Sequence, residues 1–166
     1  MLNSQQQQWT ANLNPEHQHD AQLVCEHLCV AFNMSPFFQH NNMSMRVNGD
    51  HIEGYIEMQP HLIGNVEYQI LHGGVAATIL DTVGGAMAMS ELYKRGKPED
   101  FELTIKTIAR LATLDIRIDY LKPGRGKHFI THAEVLRMGS KSCVTRMSLV
   151  NDENVQIAVG IASYSY

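Results

Sequence analysis

The chain has 166 residues, 44% hydrophobic and 18% charged, a balance that fits one globular domain able to bury a core of its own. A net charge of −4 gives no electrostatic basis for binding nucleic acid or an anionic membrane surface, and no apolar stretch approaches the roughly 20 residues that cross a bilayer. Three cysteines, and a start "MLNSQQQQWT" without a basic then apolar run, point to a cytoplasmic protein without a secretory leader.

Residues 1–14, with the run Gln5 to Gln8, predict a mobile tail, and residues 15–166 one domain without internal repeats. From Pro15, Leu23, Val24, Leu28 and Val30 recur at helical spacing, which predicts a helix over 15–34 with proline in its first turn. "SPFFQH" turns the chain. Met43, Met45 and Val47 alternate, as do Ile52, Gly54, Ile56 and Met58, and Asn48-Gly49-Asp50 between them signals a hairpin. Pro60 to Ile70 reads as a loop. "LHGGVAATILDTVGGAMAMS" (71–90) reads as a central helix of about five turns, apolar and small nearly all round. Residues 91–110 form an excursion in which "EDFELTIKTIARL" predicts a short second helix. The last third is strand-like. Leu114, Ile116, Ile118 and Tyr120 alternate with Asp115, Arg117 and Asp119, "KPGRG" turns, Phe129 to Met138 follows, and then come the runs Cys143 to Leu149 and Val155 to Ile161. Short turns make the successive strands antiparallel neighbours. One sheet with one long helix is solved most economically by a sheet that curls around the helix.

The central stretch holds a single carboxylate, Asp81. Its neighbours three and four residues away are Ala77, Thr78, Gly84 and Gly85, so it lies on a face with almost no side-chain bulk, open to close approach by backbone or ligand. Glycines inside a helix each cost about 1 kcal/mol against alanine, and a buried acid needs donors or a raised pKa. At the other end stands His72-Gly73-Gly74, where the first-turn N–H groups lack intrahelical partners and attract negative charge, and where glycine lets an oxygen reach the main chain. A carbonyl becoming an oxyanion suits that place. Gly73 and Asp81 are eight residues apart, about 12 Å along the axis at 1.5 Å per residue. An oxyanion hole and a base or nucleophile must both sit within about 3 Å of the reacting atoms, so one helix cannot supply both. Two antiparallel copies can, which predicts a two-fold dimer with two equivalent sites. The bland alternative is that the small residues serve packing and Asp81 bonds a buried N–H.

"HGGVAATILDTVGG", with the asparagine before it and "IRIDYLKPGRG" after it, resembles the PaaI-like branch of the hotdog-fold acyl-CoA thioesterases over about Met43 to Tyr164. The fold so implied is α+β: a curved antiparallel sheet wrapped around one long central helix, with an N-terminal helix and a helical excursion added. The resemblance implies that Asp81 is general base on water, or nucleophile, at the thioester carbonyl. It implies that the Gly73 N–H polarises that carbonyl and that His72 positions the loop or the thioester. It further implies that Asn65 orients water or carbonyl, although Asn65 stands seven residues before the histidine where six is the common spacing. A family hydroxyl aligns with Thr113, which falls in phase with Asp115 and Arg117, a face that solvent can equally well take. Coenzyme A, bound as part of the substrate, would meet Gly74, the turn Arg125-Gly126-Lys127 and the turn Gly139-Ser140-Lys141; solvated turn charges are the plain alternative. No separate cofactor is implied, and a dimer or tetramer is.

Other features carry less. His17, His19, Cys25, His27 and Cys29 have metal-ligand chemistry at spacings that fit no usual zinc pattern, so no metal is expected. Cys143 in mid-strand lacks a base. Nine methionines fill a core first and line an adaptable acyl tunnel second; they tilt the acyl group towards an aliphatic one of medium or long chain. A non-catalytic acyl-CoA-binding regulator on the same fold is the rival reading. It calls for an output module, and the acidic, histidine-rich N-terminal helix is a poor one.

Overall fold

The computed structural model describes Glu16 and residues 20–166; the predicted tail over 1–14, and Pro15, His17 and His19, lie outside the described residues. Helix α1 (Ala21–Asn33) opens later than Pro15 suggests. Asp20 is extended and its carboxylate accepts from the Leu23 N–H at 3.0 Å, a cap that fixes where the helix begins. Val24, Cys25, Leu28 and Cys29 form its buried stripe. A short helix, α2 (Pro36–His40), follows with proline at its start.

Strands β1 (Met43–Asn48) and β2 (His51–Glu57) form the expected antiparallel hairpin, with Gly49 at φ +64° in the turn, a left-handed conformation that favours glycine. The outer edge of β1 is covered by α1. The Asn33 carboxamide accepts from the Met45 N–H at 2.7 Å and donates to the Met45 carbonyl at 2.8 Å, standing in for a neighbouring strand. The expected loop from Pro60 to Ile70 is more ordered than its composition suggests. It holds a 3-10 turn, Pro60–Leu62, and a small antiparallel ladder of β3 (Ile63–Asn65) with β4 (Ile70–Leu71).

Helix α3 (Gly73–Arg95) is the central helix, and its 23 residues make about six turns. It buries Ala76, Ile79, Leu80, Val83 to Ala88, Ser90 and Tyr93. The excursion after it contains helix α4 (Phe101–Ile108), whose first residue meets Tyr93 edge-on at 6.0 Å between ring centroids.

Four strands complete one six-stranded antiparallel sheet: β5 (Ala112–Tyr120), β6 (His128–Met138), β7 (Ser142–Asn151) and β8 (Gln156–Ser165), in the order β1-β2-β6-β7-β8-β5. This corrects the expectation that strands on either side of "KPGRG" are neighbours, because β5 pairs with β8 and β6 joins β2 to β7. The connection over residues 121–127 is a strap along the sheet end. The Leu121 N–H donates to Ile157, Gly124 accepts from the Leu71 N–H at 2.8 Å, Asn151 bonds the Arg125 carbonyl and the Met58 N–H bonds that of Lys127. Its seven residues reach about 23 Å, more than the three strand spacings of about 14 Å that they cross.

The sheet packs its inner face on α3. Gly54 lies where sheet and helix come closest: a Cβ there would fall 2.6 Å from a Val83 methyl. The inward row of β8 is Ala158, Gly160, Ala162 and Tyr164, while Ile161 stands 49% exposed on the outer face; Ile157 falls at a bulge against β7 and is buried, so the apolar alternation marks the strand but from Val159 onward faces away from the helix. Small residues fit the inner face because the helix lies against it.

One buried acid sits on the outer face. Glu53, 6% exposed, accepts from Asn48 Nδ2 at 2.7 Å and from Arg46 Nε at 3.0 Å, and His132 Nδ1 lies 3.4 Å away. Burial works against its charge, but the hydrogen bonds from Asn48 and Arg46 and the nearby His132 outweigh it and hold the carboxyl below its ordinary value of 4.5. A depressed folded pKa gives stability that is present above the unfolded pKa and lost as pH falls through the folded one. Glu53→Gln is therefore expected to lower stability by about 1–3 kcal/mol at pH 7. The gap from the parent in thermal midpoint should hold down to about pH 5 and close below pH 4.5.

Candidate active site

The amino end of α3 is built by short-range chemistry. His72 is the N-cap: its backbone is extended and its Nδ1 accepts from the Gly74 N–H at 2.9 Å. That bond uses the Gly74 donor and leaves the Gly73 N–H, the first of the helix, without a hydrogen-bond partner among the described residues. Nδ1 as acceptor puts the proton of neutral His72 on Nε2. The His72 N–H is itself anchored to Leu62 O at 2.8 Å, and Gly64 lets β3 pass there, since a Cβ on it would fall 2.7 Å from His72 Cα. Tyr120, at the end of β5, lays its ring against Gly73 and donates its hydroxyl to the Gly73 carbonyl at 2.8 Å.

Two turns further on, Asp81 is half-buried and accepts from the Thr113 hydroxyl at 3.0 Å. Simple alternation puts Thr113 on the face of Asp115 and Arg117. A β-bulge at Leu114 reverses that: Thr113 pairs with Tyr164 and Asp115 with Ser163, so Leu114 is the extra residue and Thr113 faces the helix. A hydroxyl donor fixes the direction of the carboxylate.

The bare face at Gly84 is filled by the protein itself. A Cβ at Gly84 would stand 2.5 Å from the Tyr164 hydroxyl and 2.9 Å from both Met147 Sδ and Thr145 Oγ1, whereas one at Gly85 would meet Tyr164 at an ordinary 3.4 Å. Of the two glycines, Gly84 is the one sterically required. The Tyr164 hydroxyl donates to the Asp81 main-chain carbonyl at 2.8 Å. Burial, then the Asp81 charge, pushes the Tyr164 phenol well above its ordinary value, so it is a fixed donor. Neither Tyr120 nor Tyr164 was singled out from sequence. The signal for the second was the glycine pair, which calls for a large side chain opposite.

Gly73 and Asp81 both lie within α3, so helix rise separates them by about 12 Å along the axis in one chain. Asn65 is exposed at the end of β3 and accepts from the Tyr68 N–H at 3.1 Å, capping the turn towards β4. The strap is tied through Gly124 to Leu71, two residues before α3, and Arg125, Gly126 and Lys127 continue from there. The Arg125 guanidinium lies 6.0 Å from the Tyr68 ring centroid, and Asp152 binds the Lys127 N–H at 3.1 Å where a Gly126 Cβ would collide with it. Gly139, Ser140 and Lys141 lie at the far end of β6, about 33 Å away over its 11 residues. There Gly139 and Ser140 line a groove with Arg95, Lys97 and Arg110. One chain therefore does not bring the two turns to a single ligand.

Cys25 and Cys29 pack in the core, Cys25 Sγ 3.4 Å from Ser90 Oγ, and burial pushes all three thiols up, Cys29 to about 12. Neutral thiols of this kind are poor nucleophiles. No helix among the described residues is long and apolar enough to cross a membrane.

Residues 68–158 match the family model of the thioesterase superfamily. The chain is 38% identical over 106 residues to the medium/long-chain acyl-CoA thioesterase YigI of Escherichia coli K12, covering 64% of this chain and 68% of that one. A Shewanella oneidensis protein related to the thioesterase superfamily has a similar structure, with TM-score 0.76, 34% identity, and 92% and 99% of the two chains covered. The PaaI protein of Escherichia coli, at 13% identity, TM-score 0.66 and 89% and 94% coverage, shares the fold. With its sheet wrapped on one long helix that opens at His-Gly-Gly, the chain belongs to the thioesterase superfamily and is a thioester hydrolase of the hotdog fold.

Proposed function

We propose that the chain hydrolyses an acyl-CoA of medium or long aliphatic chain to the free acid and coenzyme A, at two equivalent sites of a cytoplasmic homodimer. The observation that carries this reading is a carboxylate held by Thr113 about 12 Å along one helix from a free first-turn N–H at Gly73. In each site the Gly73 N–H of one subunit receives the thioester oxygen, and the partner's Asp81 acts at the carbonyl carbon. As general base, Asp81 takes a proton from water while the hydroxide adds to carbon; the tetrahedral oxyanion then collapses, the C–S bond breaks and the thiolate takes up the proton. As nucleophile, its oxygen adds instead, the thiolate leaves, and water cleaves the resulting anhydride.

The dimer is supported by β5, the strand at the sheet edge beside the site, which leaves Leu114 63% and Tyr120 54% exposed. The name of the YigI relative supports the substrate class. On this reading His72 sets the amino end of the helix and Asn65 orients water or the carbonyl. The strap residues Arg125 to Lys127, with Gly74, receive part of the coenzyme, and the turn Gly139 to Lys141 reaches it only through a further subunit, as a tetramer would allow.

Thiol release from an acyl-CoA series of increasing length, with Asp81→Ala as control, tests the reading. Release that peaks at medium or long chains and vanishes in the variant supports it. Tight binding without release at any length points to a ligand-sensing protein instead. Single turnover with radiolabelled acyl-CoA and rapid quenching separates the routes, because only the nucleophilic route passes through an acyl-aspartate that carries the label.

A further inference from the structure

We infer that Tyr164 is a positioning residue for Asp81, holding the turn of α3 that carries the carboxylate at the place the reaction requires; this rests on the reading of Asp81 given above. Three observations converge on it. The Tyr164 hydroxyl donates to the Asp81 carbonyl at 2.8 Å, although a carbonyl inside a helix already has a donor four residues on. Gly84, in the next turn, has no room for a Cβ beside that hydroxyl. Finally, Tyr164 is the cross-strand partner of Thr113, which grips the same aspartate through its carboxylate.

Two adjacent strands thus hold one residue at two points. Thr113 on β5 fixes where the carboxylate points. Tyr164 on β8 fixes how far along its axis, and how far rotated, the helix presents it. In a site completed across a two-fold axis, the gap between the carboxylate and the substrate carbon depends on where α3 sits against β5 and β8, and a hydroxyl on the Asp81 main chain sets that directly. The neighbouring contact has the same form: the Tyr120 hydroxyl bonds the Gly73 carbonyl at 2.8 Å. Tyr164 is 1% exposed and so does not itself reach substrate. Its effect must pass through Asp81.

The experiment is a double-mutant cycle on the full chain with Tyr164→Phe and Asp81→Asn. Thiol release from decanoyl-CoA is measured at steady state for kcat and KM, and in single turnover with excess enzyme for the slow variants. Phenylalanine keeps the buried ring and removes only the hydroxyl. In the parent, Tyr164→Phe is expected to lower kcat about ten- to a hundredfold with KM within about twofold. In the Asp81→Asn background it is expected to change the residual rate by less than about twofold. An unchanged kcat in the parent, or an equal fall in both backgrounds, overturns the inference, since a merely structural hydroxyl would act alike in each. Full activity of Asp81→Asn alone would instead overturn the reading of Asp81 on which the inference stands.

Discussion

Asp81→Asn is expected to reduce kcat by about a thousandfold or more while leaving KM for the acyl-CoA within a fewfold. The carboxamide has almost the same shape and can still accept from Thr113, which bonds Asp81 at 3.0 Å. It cannot take a proton from water or attack a thioester. Asp81 is half-buried, so replacing the charge by a neutral amide removes a desolvation cost, and the thermal midpoint is expected to hold or rise. Stopped thiol release with an unchanged or higher midpoint separates lost chemistry from lost folding.

Gly73→Pro is expected to lower kcat about a hundred- to a thousandfold, the range seen when one oxyanion donor is removed. Gly73 is the first residue of α3, the position where proline is tolerated because its missing N–H has no helical partner. The residue before it, His72, already has φ −64° and ψ 131°, the extended conformation that a following proline demands. The substitution therefore takes away one hydrogen and little else. Its ring meets Tyr120, whose atoms lie 3.4 Å from where a Cβ would be, so circular dichroism and the thermal midpoint should accompany the kinetics. A fall in kcat with the helix intact assigns the role to that N–H, and unchanged kinetics would remove it from the site.

What the sequence disclosed was local. A histidine and two glycines open the helix, and the first-turn chemistry follows from their positions. One acid on a small-residue face stands where spacing puts it, and the hairpin at Gly49 follows from its turn residues. What it concealed depends on residues distant in the chain. Alternation along β5 puts Thr113 towards solvent, and only the pairing with β8 reveals that Leu114 is bulged and Thr113 turned inwards. Alternation along β8 finds the strand but, beyond the bulge at Ile157, follows the outward residues Val159 and Ile161, because the inner row is mostly small to admit the helix. Strand order was hidden for the same reason: "KPGRG" has the residues of a tight turn, yet the backbone groups of residues 121–127 are satisfied by β8, β4, β7 and the residue after β2 in turn, and the segment runs across the sheet end. Tyr164 has no signature of its own. Its place becomes visible once Gly84 is seen to make room for it.

The central claim is that each site takes Gly73 from one subunit and Asp81 from the other, since about 12 Å of helix keeps them apart within a chain. Subunit mixing tests it most directly. Gly73→Pro and Asp81→Asn chains, each nearly inactive alone, are co-expressed or unfolded and refolded together in equal amounts. Half of the dimers are then mixed, and each mixed dimer regains one intact site of two, so thiol release should return to about a quarter of the parent rate. A mixture no more active than its components would contradict a site shared between subunits.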